Sequence, residues 1–227
     1  MAETPKVPAC IGIILDGNRR WAKENGLPQF DGHHQGYKKM LECALWVRER
    51  GIKHLVVYAF STENWSRSEE EISNIKKIAF TALERDRSFM KKERIRVVFI
   101  GDRGRLTDLS ERMSRMEEET AHNDGLTIWV CLSYGSRAEI TAAARAISRS
   151  NVEITEESLR KHFWSAEMPD PDLIIRTGGQ KRLSNFLLWQ AAYSELFFID
   201  ALWPDFSEVI LDSVLEEFAV RRRNFGI

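Results

Sequence analysis

Six short runs rich in β-branched and aromatic residues recur along the chain, at 11–15, 54–60 (HLVVYAF), 95–101 (IRVVFIG), 126–135 (LTIWVCLSYG), 172–179 (DLIIRTGG) and 195–200 (ELFFID). Most lack the apolar–polar alternation of a half-solvated strand, so they read as strands covered on both faces. Helical spacing fills the intervals. Met40, Leu41, Ala44, Leu45 and Val47 form one stripe within 36–51, which stops at Gly51. Residues 68–90, 136–148 and 205–223 read as further helices, and Ser68 with Glu71 and Ser136 with Glu139 have the spacing of capping boxes. Buried strands alternating with helices predict an α/β fold: a mostly parallel central sheet of about six strands, flanked by helices on both faces. In a chain of 227 residues, 43% hydrophobic, one core suffices, so residues 1–227 are expected to form a single domain. The stretch 149–158 reads as the only long loop.

Open parallel sheets bind ligands beyond the carboxyl ends of their strands, and four strand exits carry unusual chemistry. After the first run come Asp16-Gly17-Asn18-Arg19-Arg20-Trp21. Gly17 allows a tight turn and close backbone approach. Arg19 and Arg20 suit phosphate oxygens. Asp16 tolerates such a ligand if a divalent cation bridges them, as Mg²⁺ does between a carboxylate and phosphates. An Asx-turn with a surface Arg pair explains this motif alone equally well. The second exit crowds Ser61, Thr62, Glu63, Asn64, Trp65 and Arg67 into one loop, where a large aromatic points to an apolar ligand or an interface. The third places Arg176, Gly178-Gly179, Lys181, Arg182, Leu183 and Ser184 in what resembles an anion nest. The fourth is Glu195, an ordinary strand end unless it completes a pair with Asp16.

Other chemistries lack their signatures. There is no GxGxxG, GxxxxGK[ST], HExxH or GxSxG motif and no Cys/His metal spacing, and His33-His34 reads as a helix-start pair. The charges nearly cancel, with 33 Lys and Arg against 34 Asp and Glu, so bulk charge predicts no nucleic-acid partner. Cys10, Cys43 and Cys131 are sparse and odd in number, which suits reduced thiols and a cytoplasmic setting. No signal peptide is recognisable, and no run approaches 18 uninterrupted apolar residues. Peripheral contact with the inner face of a membrane stays open. Two basic nests and two acids suggest two anionic ligands bridged by a metal, hence phosphoryl or diphosphate chemistry.

The stretches IILDGNRRWA, GHHQG, YAFSTENWSR, LSYGSRAEI, DLIIRTGGQKRLSNFLLWQAAYSELFF and LWPDF resemble the cis-prenyltransferases, in the family's order and over nearly the whole chain. The resemblance implies a homodimer with a hydrophobic tunnel in each subunit. It implies Mg²⁺-dependent condensation of isopentenyl diphosphate onto an allylic diphosphate of geranyl or farnesyl type. The product is a Z-polyprenyl diphosphate, undecaprenyl diphosphate or similar for a cell-wall lipid carrier, released through membrane contact. A short-chain synthase of the same class is the alternative. Carried over by position, Asp16 is the metal-binding and diphosphate-activating acid and Glu195 the second metal ligand. Gly17, Asn18, Arg19 and Arg20 hold the allylic diphosphate, with His33 and Arg67 nearby, and Trp21 and Trp65 border the prenyl chain. Ser61 and Asn64 lie where the isopentenyl proton is removed, with Thr62 and Glu63 in the same substrate-binding loop. Arg176, Arg182, Leu183 and Ser184 hold the isopentenyl diphosphate. The chain departs from the family pattern at Cys10, Leu15, Gln29 and Asn224-Phe225-Gly226; the last two replace arginines. A non-catalytic dimer partner of the same fold and a nucleotide- or phosphosugar-binding protein are the rival readings.

Overall fold

The computed structural model describes residues 7–150 and 152–221. The strands are β1 (Cys10–Ile14), β2 (His54–Ser61), β3 (Ile95–Ile100), β4 (Leu126–Tyr134), β5 (Leu173–Arg176) and β6 (Glu195–Phe198). They form one sheet in the order β3-β4-β2-β1-β5-β6, and every pairing is parallel. The helices are α1 (Asn18–Glu24), α2 (Gln29–Glu49), α3 (Glu69–Arg85), α4 (Arg87–Lys92), α5 (Thr107–Thr120), α6 (Ser136–Ile147), α7 (Glu156–Arg160) and α8 (Glu208–Val220).

The pleat sends alternate residues to opposite faces. Ile11, Ile13, Leu55, Val57 and Ile128 join one core with Met40, Ala44 and Val47 of α2 and Met113 and Met116 of α5. Cys10, Ile14, Val56, Trp129 and Cys131 join a second core with Met168 and Phe186. From β1 the chain runs towards β2 on one side of the sheet, whereas β5 leads to β6 on the other. The order therefore reverses between β1 and β5, and their carboxyl ends frame a crevice. Asp16 and Arg176 stand at those two ends.

The observed elements depart from expectation in ways that trace to tertiary contacts. Helix α2 begins at Gln29, seven residues before the stretch expected to be helical. Gly32 and Gly36 weaken its helical signature, but both are demanded by α1. A Cβ at Gly32 would lie 2.2 Å from the Asn18 carbonyl oxygen, and one at Gly36 would lie 2.1 Å from Asn18 Oδ1. The stretch 68–90 is two helices broken at Asp86, whose carboxylate accepts the Tyr37 hydroxyl. Part of the expected loop 149–158 is α7, opened by a capping box between Thr155 and Ser158. The Ser136–Glu139 box does not form: Gly135 is the cap, and Glu139 is fully buried. Glu139 accepts from the Tyr134 hydroxyl (2.7 Å), Gln190 Nε2 (2.9 Å) and the Ser165 amide (2.9 Å). Asn224-Phe225-Gly226 lies outside the described residues.

Candidate active site

Gly17 turns the chain out of β1 at φ 120°, where a Cβ would meet the Leu202 Cα at 2.9 Å. This turn aims Asp16 back over the sheet. Asp16 Oδ2 accepts from Arg176 Nη2 at 2.8 Å, and Oδ1 accepts from Arg20 Nη2 at 3.3 Å. Arg20 reaches it across Gly178, where a Cβ would stand 2.3 Å from Arg20 Nη2. Arg176 is only 4% exposed. Its Nη1 donates to Ser184 Oγ at 2.7 Å and to the Arg182 carbonyl, while its Nε is buried without a partner. A buried guanidinium thus lines the crevice.

A second cation cluster stands beside the first. Arg67 Nη1 donates to Glu71 Oε1 at 2.7 Å. Arg19 Nη1 lies 3.6 Å from Glu71 Oε2, and His33 Nε2 lies 3.5 Å from Oε1 without a hydrogen bond. Burial and then the Arg67 charge push the His33 pKa down, more than Glu71 raises it, so the imidazole is neutral near pH 7. Ser68 Oγ caps α3 by accepting from the Glu71 amide at 3.3 Å, but the Glu71 carboxylate turns to the arginines. Sequence spacing identified the cap and missed this role.

In the loop after β2, the Ser61 amide donates to Asn64 Oδ1 at 3.1 Å and the Ser61 side chain accepts in return. Thr62 Oγ1 and Asn185 Nδ2 donate to Glu63 at 3.2 and 2.8 Å. Burial alone would raise the Glu63 pKa, but these bonds and others from Ser61 and the backbone together hold it below the usual value. Asn185 escaped the sequence reading. It sits in a run of left-handed non-glycine residues, Ser184 (φ 48°), Asn185 (φ 65°) and Leu187 (φ 46°). Such backbone costs energy and persists where surroundings fix it. Here the Tyr58 hydroxyl donates to the Ser184 carbonyl at 3.2 Å, and Asn185 Oδ1 accepts from the Arg137 amide at 2.9 Å.

These groups ring the mouth of a cavity of about 810 Å³ between the sheet and α2, α3 and α5. Asp16, Asn18, His33, Ser61, Glu63, Asn64, Arg67, Arg176, Leu183 and Ser184 line it. Its inner wall is apolar: Ala59 and Leu132 from the sheet, Ile75, Ile78, Ala79 and Leu83 from α3, and Met90, Val97, Phe99 and Met116 beyond. Trp129 lies on the opposite face of the sheet. A second hollow, about 710 Å³, adjoins the mouth and adds Gly17, Arg19, Arg20, Lys23 and Gln29.

Five expected residues stand elsewhere. Thr62 lines neither hollow and spends its hydroxyl on Glu63. Trp65 lines neither hollow: its indole donates to Ser133 Oγ at 2.9 Å and packs edge-on against Phe60. Trp21 is likewise outside them and donates to Asp205 Oδ1 at 2.8 Å. The Arg182 side chain is exposed on Gln180, and only its carbonyl serves the site. Glu195 opens β6, paired with Leu173, whereas Asp16 follows Ile14, which pairs with Arg176. Glu195 and Arg176 thus stand at opposite ends of the register, three residue steps or about 10 Å apart along the strands, with Asp16 in the turn beyond the far end. Within one chain Glu195 therefore does not share a metal with Asp16. It accepts instead from Arg221 at 2.7 Å. Among the described residues no three His, Cys, Asp or Glu converge as a ready-made metal cage.

A switch-point crevice with guanidiniums at its mouth and a deep apolar recess defines an α/β protein built for an anionic head with an apolar tail. Comparison with known proteins narrows this class. The family model described as putative undecaprenyl diphosphate synthase matches residues 14–226. An isoprenyl transferase of Fusobacterium nucleatum is 44% identical over 97% of this chain and 96% of its own length. Lavandulyl diphosphate synthase from Lavandula x intermedia, solved in complex with dimethylallyl diphosphate, superposes with a TM-score of 0.92 at 33% identity, covering 97% of this chain and 98% of that one. A probable undecaprenyl diphosphate synthase from Campylobacter jejuni gives 0.84 at 34%, covering 98% and 100%. The chain belongs to the undecaprenyl diphosphate synthase family of cis-prenyltransferases, and it is a prenyltransferase enzyme.

Proposed function

We propose that this enzyme condenses isopentenyl diphosphate onto an allylic diphosphate and repeats the step to build a Z-polyprenyl diphosphate. The observation that carries this reading is one continuous cavity, with Asp16 among guanidiniums at the mouth and an apolar wall running past α3. Such a cavity suits a charged head that stays in place while its tail lengthens inward. The cavity serves as the tunnel expected from the resemblance.

Arg19, Arg20, Arg67 and His33 hold the allylic diphosphate, with Gly17 and Asn18 lining its seat. Arg176 and Ser184 hold the second diphosphate. The allylic C–O bond breaks, its electron pair leaving with pyrophosphate, and the guanidiniums stabilise the developing charge. The isopentenyl double bond then attacks the allylic carbon, and the resulting carbocation loses a proton beside Ser61 and Asn64 to an oxygen of the released pyrophosphate. A weak base suffices for so acidic a proton. The hard oxygen donor that Asp16 brings to the mouth is its carboxylate. It fits Mg²⁺, which is commonly held by one or two carboxylates and completed by substrate phosphates. When bound, Mg²⁺ would supply further neutralisation of diphosphate charge. The working unit is a homodimer in the cytoplasm, and its apolar product passes to a membrane. No described helix is long and apolar enough to cross one.

The test supplies geranyl or farnesyl diphosphate with labelled isopentenyl diphosphate and Mg²⁺, then sizes products by mass. A ladder of five-carbon increments ending at long chains meets the proposal. A single condensation identifies the short-chain alternative, and absence of turnover a non-catalytic partner.

Two substitutions probe the cavity. Ala79→Trp should shorten the final product by one or more five-carbon units without stopping the first condensation, because Ala79 lines the inner wall rather than the mouth. Unchanged product length would place the growing chain elsewhere. Gln29 lines the adjoining hollow beside Lys23. Gln29→Arg adds a charge-assisted donor there, and bonds to charged groups contribute roughly 1.5–3 kcal/mol. The KM for the allylic primer should fall about tenfold, with the KM for isopentenyl diphosphate unchanged. An equal shift in both would remove Gln29 from the allylic seat.

A further inference from the structure

Among the described residues, Glu71 is the one acid in direct contact with the Arg19–His33–Arg67 cluster, and the proposed reaction gives it no task. Its side chain is 10% exposed. It lines neither hollow, whereas Arg67 and His33 line both. It therefore stands behind the cations and away from their ligand side. Three elements converge on its two oxygens: α1 through Arg19 at 3.6 Å, α2 through His33 at 3.5 Å, and the segment before α3 through Arg67 at 2.7 Å.

Two physical effects follow from that placement. The bond to Arg67 fixes a long side chain that would otherwise lose rotamer freedom on binding an anion. The carboxylate also cancels one of the two positive charges in the cluster, since His33 is neutral there. The first effect strengthens anion binding and the second weakens it. In a repetitive transferase the second is useful: every cycle leaves a pyrophosphate on this clamp, and it must depart before the elongated chain can be reset.

Resting on the reading of this mouth as a diphosphate seat, we propose that Glu71 is a positioning residue that also acts as a built-in counter-anion, aligning Arg67 while keeping the clamp weak enough to release pyrophosphate. The two effects separate by substitution. Glu71→Gln keeps an acceptor for Arg67 and removes the charge. Glu71→Ala removes both.

The experiment measures binding of inorganic pyrophosphate by calorimetry to the full-length wild type, Glu71→Gln and Glu71→Ala, together with its inhibition of turnover. Removing a unit charge several ångströms from a polyanion in a partly dry site should tighten pyrophosphate binding by Glu71→Gln about fivefold or more. Turnover by that variant should become correspondingly more sensitive to pyrophosphate. Glu71→Ala, with Arg67 unanchored, should bind pyrophosphate more weakly than wild type. The KM for isopentenyl diphosphate should stay put in both. A purely structural role would weaken both variants together. The proposal requires the order Gln variant, wild type, Ala variant from tightest to weakest, and any other order overturns it. A wild type that binds no pyrophosphate at all would instead overturn the diphosphate reading of the mouth.

Discussion

Asp16→Asn should lower turnover several-hundredfold while leaving a cooperatively folding protein, because losing one charge-stabilising group at a reacting centre costs roughly 3–4 kcal/mol of barrier. Asparagine keeps an oxygen that can accept from Arg176, so the crevice retains its shape. It removes the mouth-lining carboxylate that is bonded to Arg176 and Arg20. Asp16→Ala is the less informative variant. It leaves Arg176, whose side chain is 5% exposed, without its anionic partner. Uncompensated buried charge destabilises by itself, so lost activity and lost fold would be mixed. Comparing melting curves with rates for the Asn variant separates them. Substantial Mg²⁺-dependent activity in Asp16→Asn would take the metal and the activating role away from this residue.

Arg176→Met should damage both stability and turnover. Arg176 fastens three things at once: the Asp16 carboxylate, the Ser184 hydroxyl and the Arg182 carbonyl. Methionine fills similar volume but offers no donor. Breaking a buried pair by removing one partner costs about 3–5 kcal/mol; the discount for Asp16, which is 29% exposed, leaves about 2–3 kcal/mol after solvent screening. For a chain of this length that is a fall in Tm of roughly 5–10 °C. The released loop carries Ser184, Asn185 and Leu187 in left-handed backbone, which the cage around it would no longer hold. The KM for isopentenyl diphosphate should rise more than tenfold. Arg176→Lys refines the test. Lysine keeps the charge but lacks the fork, so it should recover stability more than substrate affinity. A Met variant with wild-type Tm and KM would show that this guanidinium neither braces the loop nor meets substrate.

Much of the architecture was legible in the sequence because buried parallel strands write themselves as uninterrupted apolar runs. All six strands fall where those runs lie. Their polarity then put the search at the right end of the sheet for Asp16, Arg176 and the loop after β2. What escaped notice depends on contacts between distant segments. The start of α2 was hidden because Gly32 and Gly36 serve Asn18 rather than their own helix. The roles of Glu71 and Glu139 were hidden because a Ser-x-x-Glu spacing suggests a cap, and nothing local reveals that the carboxylate has better donors elsewhere. Glu195 shows a different limit, within its own chain. Its flanking sequence shows a strand but not which end of that strand faces the crevice; the register with Leu173 decides that. Trp65 looked like a ligand platform because a tryptophan in a polar loop demands an explanation, and Ser133, Phe60 and the nearby Lys76 and Arg105 provide one.

The cation-lined rim has a consequence for how this molecule meets its surroundings. The whole chain carries a formal charge of −1, so at long range it neither attracts nor repels a diphosphate with any force. Arg19, Arg20, Lys23 and Arg67 nevertheless share one small region of the surface, with the buried Arg176 beside it. At physiological ionic strength their field fades over about 8 Å. An anion diffusing past is ignored until it grazes the opening, and is turned headgroup-first only within the final nanometre. Selection among the many phosphates of a cell thus begins with the geography of the charge, before any hydrogen bond is made.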